Sequence, residues 1–316
     1  MIEFRRFAQR FDFTLSCWMA VLAGAAMMAS LCPAAQAQSK LIITWGGNTS
    51  EWNHKLHVNA MRIGCSDQPP SCMQAVQKIA GEQHVDKIFL ALLLKPSIAN
   101  EGREYSALSK SAPALYSIGF DDFVNQMEKL HESDQQVASM LTGFVDGLKS
   151  ENPNLHFGVT VYENELTAAL LTSAAMASVR NRTDFVHLFV HYRMNGPNFS
   201  SYVRKAKALF PNAQIIAGSY PVDRIDYLPC EPNSRTPCAG TQEVALFKKT
   251  LDVQLQLLQQ GAVAGIEFYP GDFGEISKAG MWKDPRSCRP GRLADCIATS
   301  QQMEKYVGDK FGRSNL

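Results

Sequence analysis

Four carboxylates in this 316-residue chain stand in or just after apolar runs. Asp121 and Asp122 close "ALYSIGFDD", Glu165 closes "LHFGVTVYENE", and Glu267 lies inside "VAGIEFYPG". An unpaired buried carboxylate is costly, so each needs a partner or a task. Two carboxylates facing one cleft can do acid–base or nucleophilic work, one protonating a leaving oxygen while the other attacks or activates water. Alternation along an extended strand sorts them. In "LYSIGFDD" the bulky face is Tyr116, Ile118 and Phe120, expected to meet helices, and the smaller face carries Ser117, Gly119 and Asp121. Asp121 is then the chemical candidate, and Asp122 reads as the N-cap of the helix that follows. In "VAGIEFYPG" Ile266 and Phe268 face outward, which turns Gly265, Glu267 and Tyr269 inward. Glu267 is expected in the pocket with a role beyond stability. The competing expectation makes it half of an ion pair with Arg193 or Arg224.

Other strand ends supply binding groups. "FVHLFVHYR" turns His187, Phe189, His191 and Arg193 to one side. On a strand the two histidines are roughly 13 Å apart, too far to share a metal ion. His191 and Arg193, at the upper end, are expected to contact ligand, and His187 reads as a core histidine. "TVYENELTAALL" points Tyr162 and Asn164 inward with Glu165 as a further carboxylate, although Asn164 can equally cap the helix that follows. "GSYPVDRIDY" adds Tyr220 and Asp223, the latter either a ligand contact or part of a salt-bridged loop. Trp45 on the first run is a platform for stacking against a sugar, and Trp52 is a second.

Seven runs of strand character occupy residues 40–47, 86–94, 114–122, 155–165, 184–193, 213–221 and 263–271. Segments of helical period lie between them. "SDQQVASMLTGFVDGLKS" opens with Ser133 and Gln136 in capping-box spacing and keeps Val137, Leu141, Phe144 and Leu148 on one face. "TQEVALFKKTLDVQLQLLQQG" does the same with Val244, Phe247, Leu251, Leu255 and Leu258, and Gly261 stops it. This alternation predicts parallel βαβ units. Polar and aromatic residues gather at the C-terminal ends of the runs, which favours an α/β fold of the (β/α)8 TIM-barrel type. No G-x-G-x-x-G follows the first run, as a dinucleotide-binding sheet would require. Only seven strands are read, so an irregular or seven-stranded barrel fits as well. Residues 38–316 carry no repeat or boundary and are expected to form one domain.

Residues 1–37 read as a cleavable signal peptide: a basic start, the apolar "CWMAVLAGAAMMASLC", and a small-x-small site at Ala35, Gln36 and Ala37. A membrane span needs roughly 20 apolar residues, more than this segment offers. Export to the periplasm or beyond is therefore expected, with no stable membrane anchor after processing. In the remainder, basic and acidic side chains balance, which leaves no footprint for nucleic acid. Six cysteines fall in three short loops, predicting Cys65–Cys72, Cys230–Cys238 and Cys288–Cys296. Their spacing does not suit zinc, and no motif asks for a metal or other cofactor.

Taken together, a signal peptide, local disulfides and inward carboxylates ringed by aromatic residues resemble the secreted barrel glycoside hydrolases. "YENE" and the later "IEFYPG" look like the Asn-Glu acid/base strand and the glutamate nucleophile strand of the largest barrel hydrolase clan. That resemblance implies Glu165 as acid/base and Glu267 as nucleophile. "GFDD" looks like the aspartate-bearing strand of chitinase-like barrels, but the full D-x-x-D-x-D-x-E pattern is absent. The implied activity is hydrolysis of glycosidic bonds in a poly- or oligosaccharide, with Glu267 and Asp121 as the first pair and Glu165 in reserve. The alternative is a non-catalytic barrel that binds carbohydrate or serves the cell envelope. Metal-dependent phosphoester hydrolysis would need a cluster of His and Asp that the chain does not assemble. Carboxyl groups of Glu267 and Asp121 within about 10 Å across an open pocket would speak for catalysis. A salt bridge beneath a closed core would speak for binding.

Overall fold

The computed structural model describes residues 40–46, 50–222, 230, 240–271, 273–275, 282, 288 and 291–312. Eight strands pair in chain order into a closed barrel. They are β1 (Leu41–Trp45), β2 (Ala60–Cys65), β3 (Ile88–Leu92), β4 (Leu115–Phe120), β5 (His156–Tyr162), β6 (Phe185–Phe189), β7 (Gln214–Ser219) and β8 (Gly265–Phe268). Every neighbouring pair is parallel, and β8 returns to β1 with Ile43 beside Glu267. The fold is an α/β TIM barrel, and the strand unread in the sequence is β2.

Helices fill the crossovers: α1 (Ser50–Leu56), α2 (Pro69–Gln83), α3 (Gly102–Ser109), α4 (Phe123–Lys129), α5 (Asp134–Ser150), α6 (Ala169–Thr172), α7 (Ala177–Arg182), α8 (Phe199–Leu209), α9 (Gly240–Gln259) and α10 (Leu293–Phe311). The capping box at Ser133 and Gln136 starts α5, and its four apolar residues are buried. The stripe on α9 is buried too, and Gly261 follows with φ +68°, a left-handed residue that glycine takes without strain.

Each strand has one face toward the helices. Ile118, Phe120, Val159, Val161, Val186, Leu188, Ile266 and Phe268 share a core with helix residues such as Phe144 and Leu251. The opposite faces fill the lower barrel with Leu41, Ile43, Ala60, Phe89, Phe185 and Ile216. Tyr116 joins this inner group, contrary to strict alternation. A register shift between β3 and β4, where Ile88 pairs Leu115 but Phe89 pairs Ser117, inserts one residue and reverses the parity. Tyr116 therefore packs on Phe89 and Phe185, while Leu115 joins the helix-facing core.

Two of the expected disulfides are present, Cys65–Cys72 and Cys288–Cys296. Cys238 and the proposed signal peptide lie outside the described residues. Among the described residues no helix is long and apolar enough to cross a membrane. Disulfides are compatible with an oxidising compartment.

Candidate active site

Above the apolar plug the barrel interior becomes charged. Arg62 projects inward from β2, with its Nη1 donating to Glu267 at 3.1 Å. Its Nη2 donates to Asp121 Oδ1 at 3.4 Å and to the hydroxyl of Thr160. His187, on β6 and separated from β8 by β7, contacts the other oxygen of Glu267 through Nδ1. A carboxylate acceptor there keeps the imidazole proton on Nδ1. The indole of Trp45 covers the Arg62 guanidinium, 4.5 Å from ring centre to Cζ. Arg62, His187 and Glu267 are all nearly or fully inaccessible to solvent.

This layer settles its charges internally. Burial pushes Glu267 up, but Arg62 and His187 outweigh it and hold the carboxyl below its usual range. Burial pushes His187 down, Arg62 adds to that, and Glu267 opposes it. The ion pair of Glu267 with Arg62 is the charge match on which this layer depends. Removing either charge would strand the other in a low-dielectric interior.

Glu267 thus takes the interior position expected of it, but lies beneath the pocket and not in its lining. Its ion-pair partner is Arg62. Arg193 is committed elsewhere: it pairs with Glu243 and donates to the carbonyls of Tyr220 and Val222, at 3.1 and 2.8 Å, which anchors the chain after β7 to α9. Arg193 does not line the pocket either, whereas Asp223 and Arg224 lie outside the described residues.

The pocket opens at the C-terminal mouth of the barrel with a volume of about 400 Å³. Asp121 forms part of its floor, with 35 % of its side chain exposed against 0 % for Glu267. The planar Arg62 guanidinium stands between the two carboxylates, donating to Glu267 from Nη1 at 3.1 Å and to Asp121 from Nη2 at 3.4 Å. Burial, with the charges of Asp122 and Glu267, pushes the Asp121 carboxyl above its usual value against the downward pull of Arg62 and Thr160.

Glu165 lines the pocket wall. It sits in the turn after β5, where the amide of Tyr162 donates to its Oε2 at 2.9 Å. Burial is the main reason its carboxyl is pushed up to about 7; the Tyr162 amide opposes the rise, and the charges of Asp122, Glu128 and Glu163 add to it. Glu163, two residues earlier, is buried and holds the loop after β6 by accepting from the amides of His191 and Tyr192 and from Asn195 Nδ2 at 2.9 Å.

Asp122 does not cap α4 as the sequence suggests. Its φ is +41° and its side chain makes no capping bond. It lines the pocket instead, accepting from the Tyr162 hydroxyl at 2.9 Å. Asn164 is likewise no helix cap, since the next helix begins at Ala169; it is exposed on the pocket rim. His191, Tyr220 and Tyr269 line the pocket as expected, and Trp45 meets Tyr269 edge-on at 5.2 Å. Trp52 is elsewhere, stacked on Phe273. Arg62, Thr160 and Asn125 reach the candidate site and are not named by the sequence reading. The signal was the alternation in "AMRIGC", with Met61 and Ile63 on the helix side. Among the described residues no group of His, Cys, Asp and Glu is arranged to hold a metal ion.

No protein-family model matches the sequence, and no curated protein does. The barrel is similar to a glucosidase from Croceicoccus marinus, with TM-score 0.52 and 14 % identity, covering 84 % of this chain and 68 % of that one. It is also similar to an exo-β-1,4-mannosidase from Opitutaceae bacterium strain TAV5, with TM-score 0.54 and 12 % identity, covering 89 % of this chain and 61 % of that one. A β-glucuronidase from Bacteroides uniformis matches with TM-score 0.50 and 11 % identity over 75 % of this chain, but only 30 % of its own length. This chain therefore spans less than two thirds of the mannosidase and under a third of the glucuronidase. At these identities the likeness is one of fold: a TIM barrel of the kind that glycosidases use.

Proposed function

We propose that the chain is a glycoside hydrolase acting on a poly- or oligosaccharide, with Glu165 as general acid and Asp121 as the carboxylate that faces it. The observation that carries this reading is that both line one open pocket at the barrel mouth while their environments differ. A carboxyl titrating near 7 still holds its proton at neutral pH and can give it to the departing glycosidic oxygen. Asp121 is paired with the Arg62 guanidinium at 3.4 Å, which opposes the upward push of burial on its carboxyl, and in its ionised form it can attack the sugar or activate water. Tyr162, Tyr269 and Trp45 offer ring faces and edges for a sugar, a common way to orient an amphipathic ligand. Glu267 acts through Arg62 as a positioning residue. Local disulfides and the N-terminal segment support export, where polymeric glycans are met.

A second reading, binding without cleavage, is favoured by one observation. The glutamate that the clan resemblance makes the nucleophile is salt-bridged beneath the floor. Release of reducing ends from a panel of polysaccharides separates the two. The hydrolase reading expects turnover by the wild type that drops by at least about 10²-fold in Glu165→Gln and in Asp121→Asn, with both variants folded. Saturable glycan binding by the wild type without any new reducing ends would overturn it in favour of the second.

A further inference from the structure

Asp121 stands in a very short connection. β4 ends at Phe120 and α4 begins at Phe123, so only Asp121 and Asp122 join them, and Asp122 has φ +41°. The Asp121 carboxyl is partly exposed and meets Arg62 at 3.4 Å, a long contact for an ion pair. The direction in which it enters the pocket therefore depends on what holds the backbone of these two residues.

One residue holds both of their carbonyls. The backbone amide of Gln126, in α4, donates to the carbonyl of Asp122 at 2.9 Å, and its side-chain Nε2 donates to the carbonyl of Asp121. The other end of the same carboxamide, Oε1, accepts from the amide of Leu94 in the segment after β3. Gln126 is buried, so these bonds form where water competes little. The side chain thus ties the turn after β4 to the chain after β3.

The residue type matters here. Glutamine carries an acceptor and a donor on one rigid plane, and in this position the acceptor faces an N–H while the donor faces a C=O. Turning the amide over would set like against like at both ends. Glutamate of the same shape keeps the acceptor and loses the donor, and methionine of similar length loses both. Gln126 does not line the pocket itself.

We infer that Gln126 is the positioning residue of Asp121, fixing the turn after β4 so that the carboxyl points into the pocket at a set angle. It touches no sugar and moves no proton. The expected effect on turnover rests on the hydrolase reading above, whereas the effect on the geometry of Asp121 does not.

The test uses Gln126→Glu and Gln126→Met, the second being neutral and therefore decisive if the buried charge of the first prevents folding. Misplacing a reacting group by about 1 Å can cost 10²-fold in rate. Each variant should lower kcat on a cleaved polysaccharide, per folded molecule, by at least about tenfold while KM stays within about twofold. Added to Asp121→Asn, neither should lower kcat further by more than about twofold, because the group being positioned is already gone. A residue that only supports the fold would lose stability, keep kcat per folded molecule, and add its loss to that of Asp121→Asn. Unchanged kcat or additive losses overturn the inference. The geometry is read separately, without any glycan, from the carbon-13 signal of the Asp121 side-chain carboxyl, assigned by its Asn variant. That signal should move in Gln126→Met, and an unmoved signal overturns the inference whatever the wild type cleaves. If it moves while the wild type cleaves no polysaccharide, the hydrolase reading fails and the positioning of Asp121 by Gln126 stands.

Discussion

Glu267 and Glu165 belong to the same barrel interior and differ in almost everything that decides what a carboxylate does. Glu267 sits on a strand, fully buried, with one oxygen facing Arg62 and the other His187. Glu165 sits in a turn at the mouth, half-buried, with a single backbone amide to favour its charge. Burial acts on both, yet only in Glu267 is it overcome, so the two carboxyls move in opposite directions from a common starting value. A buried charge with complete partners holds a structure in place, and one with incomplete partners is available for proton transfer. Position in the interior alone does not distinguish them.

The largest effect should come from the closed layer. Arg62→Met leaves Glu267 without its cation and should lower unfolding free energy by about 3–5 kcal/mol, measured by urea denaturation. Adding Glu267→Leu should restore a large part of that loss, because the stranded charge goes with it. A loss below about 1 kcal/mol in the single variant would mean that the layer is not held by its ion pair.

The open pocket should respond less, and with the opposite sign in pH. A carboxyl whose folded value is raised binds its proton more tightly in the native state. Its contribution to stability is present in full below its ordinary value of 4.5 and is lost as pH rises toward about 7. Glu165→Gln removes that loss. Over this window the melting temperature of the wild type should fall more than that of the variant, by roughly 2–4 °C. Parallel curves would show that Glu165 titrates normally.

The smallest effect concerns Asp122. Glycine accepts φ +41° without strain, so Asp122→Gly should raise stability, by about 0.5–1 kcal/mol after allowing for the more flexible unfolded chain. Stability lost at this position would point to a structural role for the Asp122–Tyr162 hydrogen bond instead of one in the pocket.

Much of this contrast could be read in the chain before its fold was known, and the failures share a cause. Alternation placed Glu267 inside, His187 below His191, and the aromatic residues at the mouth. What it could not supply was the partner. β2 escapes a periodic reading because "AMRIGC" is short and interrupted by Arg62, and the arginine that hides the strand is the same group that pairs with Glu267. Strict alternation puts Tyr116 on the wrong side because a register shift leaves no mark on a periodic pattern. Asp122 looked like a cap because aspartate before a helix usually is one; its left-handed backbone is a property of the loop and not of the residue type. Parity and composition are local, whereas ion pairs across the barrel join residues such as Arg62 and Glu267 that are far apart in sequence.

The most direct test is a carbon-13 NMR titration of the glutamate side-chain carboxyls, with Glu165 and Glu267 assigned by their Gln variants. Glu165 should titrate near 7 and Glu267 below its usual range, and replacing Asp122 with Asn should move Glu165 downward. If Glu165 instead titrates at the ordinary carboxylate value while Glu267 titrates near neutrality, the assignment of chemistry to the mouth and of support to the layer beneath it is contradicted.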